Sequence, residues 1–139
     1  MSESKQQGPT IFVIDDDEIN NVIVSTYIKR YQITDSYQVF DSAIKALDYV
    51  KENGADSIPE IITLDVKMPD MDGFEFLDEY EKFIKEHGKK SSVYMLSSSV
   101  RMNDKERSFQ YESVVDYIEK PMTLPQIKRI ISNEHGEEA

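Results

Sequence analysis

Short apolar runs rich in β-branched residues recur at residues 10–14, 37–40, 60–64, 92–96 and 114–118, and each predicts a strand. Between them apolar side chains return at helical spacing: Ile19, Val22, Ile23 and Thr26, then Ala43, Ile44, Leu47 and Val50, then Phe74, Leu77, Tyr80 and Ile84. Weaker stripes follow the fourth and fifth strands, with Phe109 in one and Leu124, Ile127, Ile130 and Ile131 in the other. The predicted order is β-α repeated five times. Boundary residues agree with it. Asp41 or Ser42 can accept hydrogen bonds from the first amides of the second helix, Asn53-Gly54 and His87-Gly88 stand where C-caps belong, and Pro125 suits a first helical turn.

Strands that are nearly continuous in apolar residues, alternating with helices, point to a parallel sheet covered on both faces. The expected architecture is a doubly wound α/β domain with a five-stranded parallel sheet. In such a domain, ligands gather beyond the carboxyl ends of the strands, where the winding reverses, so the residues after each strand hold the chemistry. These are Asp15-Asp16-Asp17-Glu18, Asp65, Ser97-Ser98-Ser99 and Lys120-Pro121. Carboxylates that converge repel one another unless a cation sits among them. Mg2+ suits such a site, because it takes oxygen ligands, keeps waters, and binds one or two carboxylates together with phosphate oxygens. A carboxylate nucleophile, a metal, a hydroxyl and an ammonium are the groups that phosphoryl transfer requires. Not every acid belongs to that set. Asp17 and Glu18 are accounted for by the start of the first helix, and Asp72 by the start of the third. His87 and His135 have no partner arrangement and are expected to face solvent.

Composition narrows the function further. A chain of 139 residues makes one ordinary domain. With 16 Lys and Arg against 27 Asp and Glu the net charge is −11, a field that repels nucleic acid. The absence of cysteine excludes disulfides, thiolate zinc sites and a Cys nucleophile. Apolar runs are far shorter than the roughly 18 residues needed for direct membrane insertion. Residues 1–9 are polar, without the apolar core of a signal peptide, and form an expected flexible arm. Residues 133–139 form an expected polar tail, and the expected location is cytoplasmic.

Four blocks together carry a family resemblance: Phe12-Val13-Ile14-Asp15-Asp16-Asp17, Leu64-Asp65-Val66-Lys67-Met68-Pro69-Asp70-Met71-Asp72-Gly73, Val93-Tyr94-Met95-Leu96-Ser97-Ser98, and Asp116-Tyr117-Ile118-Glu119-Lys120-Pro121. In these, residues 10–132 resemble the receiver domain of bacterial two-component response regulators, in a stand-alone form. The resemblance implies a flavodoxin-like strand order 2-1-3-4-5. It implies that Asp65 accepts a phosphoryl group from a histidine kinase or a histidine phosphotransfer protein. Asp15 and Asp16 would organise Mg2+, with Asp16 and Asp65 as direct ligands, Asp15 acting mainly through water, and the backbone carbonyl of Lys67 completing the set. Ser97 would be the switch hydroxyl, Tyr117 the aromatic that turns inward behind it, and Lys120 an exposed lysine pairing with phosphoryl oxygens. The Lys67 and Ser99 side chains would border that group. A cis peptide between Lys120 and Pro121 is also implied. The chain's own chemistry would be limited to self-phosphorylation and self-dephosphorylation.

Phosphorylation adds roughly two negative charges at Asp65, which would draw Ser97 inward and open space for Tyr117. The expected output surface, toward a downstream protein target or a second, phosphorylated copy, is the fourth helix, fifth strand and fifth helix, residues 101–131, where Phe109, Tyr111 and Met122 either offer apolar contacts or, as readily for each one singly, pack in the core. Two alternatives stand beside this. A haloacid-dehalogenase-like phosphatase would use Asp15 as nucleophile and Asp17 as general acid, but would leave the block around Asp65 unexplained. A degenerate receiver would bind partners without phosphate, against which the complete set Asp15, Asp16, Asp65, Ser97 and Lys120 argues.

Overall fold

Strand alternation sends Phe12 and Ile14 to one side of the sheet and Ile11 and Val13 to the other, so a single strand feeds two cores. The computed structural model describes residues 8–98 and 101–135. In chain order the elements are β1 (Ile11–Ile14), α1 (Glu18–Arg30), β2 (Tyr37–Phe40), α2 (Ala43–Asn53), a 3-10 turn (Ala55–Ser57), β3 (Ile61–Asp65), α3 (Gly73–Glu86), β4 (Ser92–Ser97), α4 (Met102–Ser108), β5 (Val114–Glu119) and α5 (Leu124–His135). The strands form one parallel sheet in the order β2-β1-β3-β4-β5, as expected. The winding reverses between β1 and β3, and the crevice there opens at Asp15 and Asp65.

One face packs Phe12, Ile14, Ile62 and Leu64 against Leu47 and Val50 of α2 and Phe76, Leu77 and Tyr80 of α3. The other packs Ile11, Val13, Ile61 and Leu96 against Val24 and Ile28 of α1 and Ile127 and Ile130 of α5. Each large apolar side chain so buried contributes about 1.5–3 kcal/mol, which makes the sheet a stiff support for its rim.

Three expectations need correction. The stripe Ile19, Val22, Ile23 and Thr26 is not the buried face of α1; Ile19 and Val22 are 73% and 58% exposed, while Asn20, Asn21, Val24 and Ile28 are buried. The helix is rotated so that its asparagines reach Asp15. Met122 is not on the output surface but inside the core under α5, which its thioether fills at the end of β5. α5 runs to His135, so residues 133–135 of the expected tail are helical. Residues 1–7 of the expected arm, Ser99, residues 136–139 of the tail and the His135 side chain lie outside the described residues. Exposed His87 lies in the tight turn after α3, its Nδ1 2.8 Å from the Phe83 carbonyl.

The helix starts are set locally. Asp17 accepts from the Ile19 and Asn20 amides, Ser42 rather than Asp41 accepts from the Lys45 amide, and Asp72 forms a reciprocal capping box with Glu75. α3 then begins hard against the end of β3. A Cβ on Gly73 would stand 2.7 Å from the Asp65 carbonyl oxygen and 3.2 Å from Val66 Cα. Gly73→Ala is therefore expected to push α3 off β3 and to cost about 1–3 kcal/mol in urea unfolding; a variant as stable as wild type would contradict this close approach.

Candidate functional site

The backbone places each rim residue before any side chain acts. Asp15 extends the pairing of β1 by one residue, its amide donating to the Phe40 carbonyl at 3.0 Å. Asp65 closes β3, and the next amide, Val66, donates to Leu96 at 2.9 Å. Lys120 follows β5 with its amide on the Ser97 carbonyl at 2.8 Å, and the Lys120–Pro121 peptide is cis.

The side chains then converge. One carboxylate oxygen each from Asp15, Asp16 and Asp65 lie within 4.8 Å of one another. Asp15 and Asp65 are buried, whereas Asp16 is exposed. Lys120 is not the exposed lysine expected. Only 11% of its side chain is accessible, because its ammonium turns into the acids, 3.1 Å from Asp15 Oδ2 and 3.5 Å from Asp65 Oδ2. Asp15 is held most tightly. Its Oδ1 accepts from the Asp17 amide at 2.9 Å, its Oδ2 from Asn20 Nδ2 at 2.9 Å, and Lys120 Nζ reaches both. Asn21 Nδ2 donates to the Asp15 carbonyl at 2.7 Å.

Burial, and next the charge of Asp15, push the Asp65 carboxyl up to about 7 against the pull of Lys120. Burial also works against the Lys120 ammonium, but the hydrogen bond and charge of Asp15 and the charge of Asp65 outweigh it and raise its pKa. One ammonium for three carboxylates among the described residues leaves the cluster short of positive charge. The all-oxygen donor set matches a hard divalent cation.

Ser97 ends β4, buried, one residue beyond Leu96, the register partner of Asp65. Ser98 and the Lys67 side chain are exposed. Tyr117 is already inside the core, 7% exposed, with its hydroxyl unpartnered among the described residues. Asp17 is outside the acidic group. Its carboxylate is occupied in capping α1, so the Asp15 and Asp17 pairing of a phosphatase is not assembled. Hydropathy spacing does not single out Asn20 and Asn21; the available signal was two adjacent poor helix formers with Val24 and Ile28 continuing their face.

The response regulator receiver domain model matches residues 11–132. The probable methanogenesis regulatory protein FilR2 of Methanothrix harundinacea (strain 6Ac) is 25% identical over 123 residues, 87% of this chain and 77% of that protein. The sensor histidine kinase CheAY of Helicobacter pylori is 31% identical over 120 residues, 86% of this chain but only 14% of that protein. A crystal structure of a two-component response regulator from Cytophaga hutchinsonii superposes with a TM-score of 0.84 at 27% identity, covering 95% of this chain and all of that one. Among the described residues no helix is long and apolar enough to cross a membrane. With the strand order 2-1-3-4-5 and the three-aspartate rim already in place, this match across 11–132 means that the chain belongs to the response regulator receiver domain family.

Proposed function

We propose that the chain takes a phosphoryl group onto Asp65 from a phosphohistidine on a histidine kinase or histidine phosphotransfer protein, and that Mg2+ is required. The observation that carries this is the buried Asp65 carboxylate, flanked by Asp15 and Asp16 and by the ammonium of Lys120 at 3.5 Å. Asp16 and Asp65 would hold the ion, with the Lys67 carbonyl as a further ligand. Asp15, whose two oxygens already accept from Asp17, Asn20 and Lys120, would act through water. When bound, Mg2+ supplies positive charge that offsets the carboxylate repulsion and faces the incoming phosphoryl oxygens.

In the transfer, an Asp65 oxygen forms a bond to phosphorus as the P–N bond of the phosphohistidine breaks, and the imidazole leaves with the bonding pair. Lys120, already between Asp15 and Asp65, moves onto the new phosphoryl oxygens, and the Ser97 hydroxyl donates to another. Tyr117 then serves as the switch. Its hydroxyl lacks a partner among the described residues, so packing holds it in, and a change at Ser97 biases its position.

Exposed Ile19 and Val22 beside the acidic rim are an apolar seat for the phosphohistidine-bearing partner. The α4-β5-α5 face, with Met102, Phe109 and Val115 exposed, is the surface for a downstream target or a phosphorylation-dependent dimer. A cytoplasmic location belongs to the same reading.

Incubation with acetyl phosphate and Mg2+ is expected to add about 80 Da to the intact mass, and both EDTA and Asp65→Asn to abolish the gain. A gain retained in Asp65→Asn would assign the phosphate elsewhere, and no gain in wild type would favour a phosphate-independent binding module.

Asp65 also sets a pH dependence. Its folded-state pKa of about 7 exceeds the ordinary 3.8, so the folded protein holds this proton more tightly. Its stabilising contribution is complete below about pH 4 and is lost as pH rises through about 7. Without divalent cation, Asp65→Asn is expected to melt above wild type at about pH 8 and with it at about pH 4, with excess Mg2+ closing the gap. Melting curves that stay parallel across this range would refute the burial of an unneutralised charge.

A further inference from the structure

We propose that Asn20 is a positioning residue that holds the Asp15 carboxylate in place while Lys120 is drawn to the phosphoryl group; this rests on the reading of Asp15, Asp16 and Asp65 as a Mg2+-dependent phosphoacceptor site. α1 buries Asn20 and Asn21 while leaving Ile19 and Val22 in solvent. Packing alone would favour the reverse. The Oδ1 atoms of both asparagines are buried and have no partner among the described residues, so neither amide is placed there for stability.

What both amides do is grip Asp15. A carboxylate only accepts, so the atom facing Asp15 Oδ2 at 2.9 Å is the Asn20 nitrogen. The Asp17 amide holds the other oxygen at 2.9 Å, and Asn21 holds the backbone carbonyl at 2.7 Å. The remaining donor, Lys120, lies between Asp15 and Asp65. Once Lys120 moves to phosphoryl oxygens, Asn20 and the Asp17 amide are the two donors left on the Asp15 carboxylate among the described residues. A neutral donor suits this position. A cation there would repel the metal, and a carboxylate would add to the crowding that the metal relieves. Groups that orient the ligands of a metal site in this way typically affect affinity by 10–100-fold.

The test compares wild type with Asn20→Leu, which keeps the shape of the side chain and removes both the donor and the stranded oxygen. Three quantities are measured: melting temperature without metal, Mg2+ affinity by calorimetric titration, and the rate of mass gain from acetyl phosphate at saturating Mg2+. Asn20→Leu is expected to melt at or above wild type, to bind Mg2+ about 10-fold more weakly, and to gain phosphate more slowly even when loaded. A purely structural role would move the melting temperature and leave the affinity alone. Asn20→Ala carries the same expectation for affinity if the leucine variant does not fold. A folded variant that binds Mg2+ as tightly as wild type overturns the role of Asn20 and leaves the phosphoacceptor reading standing. A wild-type protein that neither binds Mg2+ nor gains phosphate overturns that reading, and this proposal with it.

Discussion

Three carboxylate oxygens within 4.8 Å of one another, served by one ammonium among the described residues, form the arrangement that the rest of the molecule has to hold in place. At that separation each pair of like charges repels by about 3 kcal/mol if the effective dielectric is near 20. A flexible loop would relieve the repulsion by moving apart. Here Asp15 and Asp65 end or extend the two central strands, and both strands are packed on each face, so separation would mean opening both cores. The repulsion is relieved in part by Lys120 folding inward, and with burial it keeps the Asp65 carboxyl well above the usual carboxylate range. A site held under that tension responds strongly to any change in its charge, which is what a receiver needs from a phosphoryl group.

The same contrast between local and distant determinants decides what was legible in the sequence. Strands buried on both faces announce themselves as apolar runs, so the β-α alternation, the parallel sheet and the acids at its rim could all be read locally. The caps at Asp17 and Asp72 were local as well, since each spans three residues. Lys120 was misjudged as exposed because its partner Asp15 lies 105 positions away in the chain. The rotation of α1 was misjudged for a related reason. Hydropathy ranks Ile19 and Val22 above Asn20 and Asn21, and nothing in the spacing reveals that Asp15 needs donors from that face. Whether Met122 faces a partner or the core is left open by the sequence, because the position of α5 over the sheet is a tertiary fact.

Contacts from the site also run toward α4 along a path separate from Ser97 and Tyr117. Gly73 packs so close to the Asp65 carbonyl that it leaves no room for a Cβ, and its neighbour Phe74 stacks on Tyr111 with ring centroids 6.1 Å apart while Arg107 of α4 lies 4.2 Å above the Phe74 ring. Tyr111 donates to Asp78, and Ser113 donates from its amide and hydroxyl to Glu81, so α3 holds the segment joining α4 to β5 at three points. By contrast α4 itself is short and buries only Ser108 among its residues. A helix so lightly packed takes its position from what it is tied to, and its C-terminal end is tied through Arg107, Tyr111 and Ser113 to α3.

The distribution of unsatisfied polar atoms points the same way. Four buried side-chain atoms lack partners among the described residues: the Oδ1 atoms of Asn20 and Asn21, Thr63 Oγ1 and the Tyr117 hydroxyl. Such groups cost about 1–3 kcal/mol each when stranded, and a chain selected for stability alone would replace them with apolar side chains of similar shape. Two of the four belong to asparagines whose nitrogens hold Asp15 and a third to Tyr117, while the large fully buried side chains of the two cores are almost all apolar. Local rules of packing are broken where the charge cluster must be positioned or sensed, and are kept where the sheet must be stiff. In this domain apolar packing is therefore concentrated in the two cores, and the stranded polar atoms gather mainly toward the rim above them.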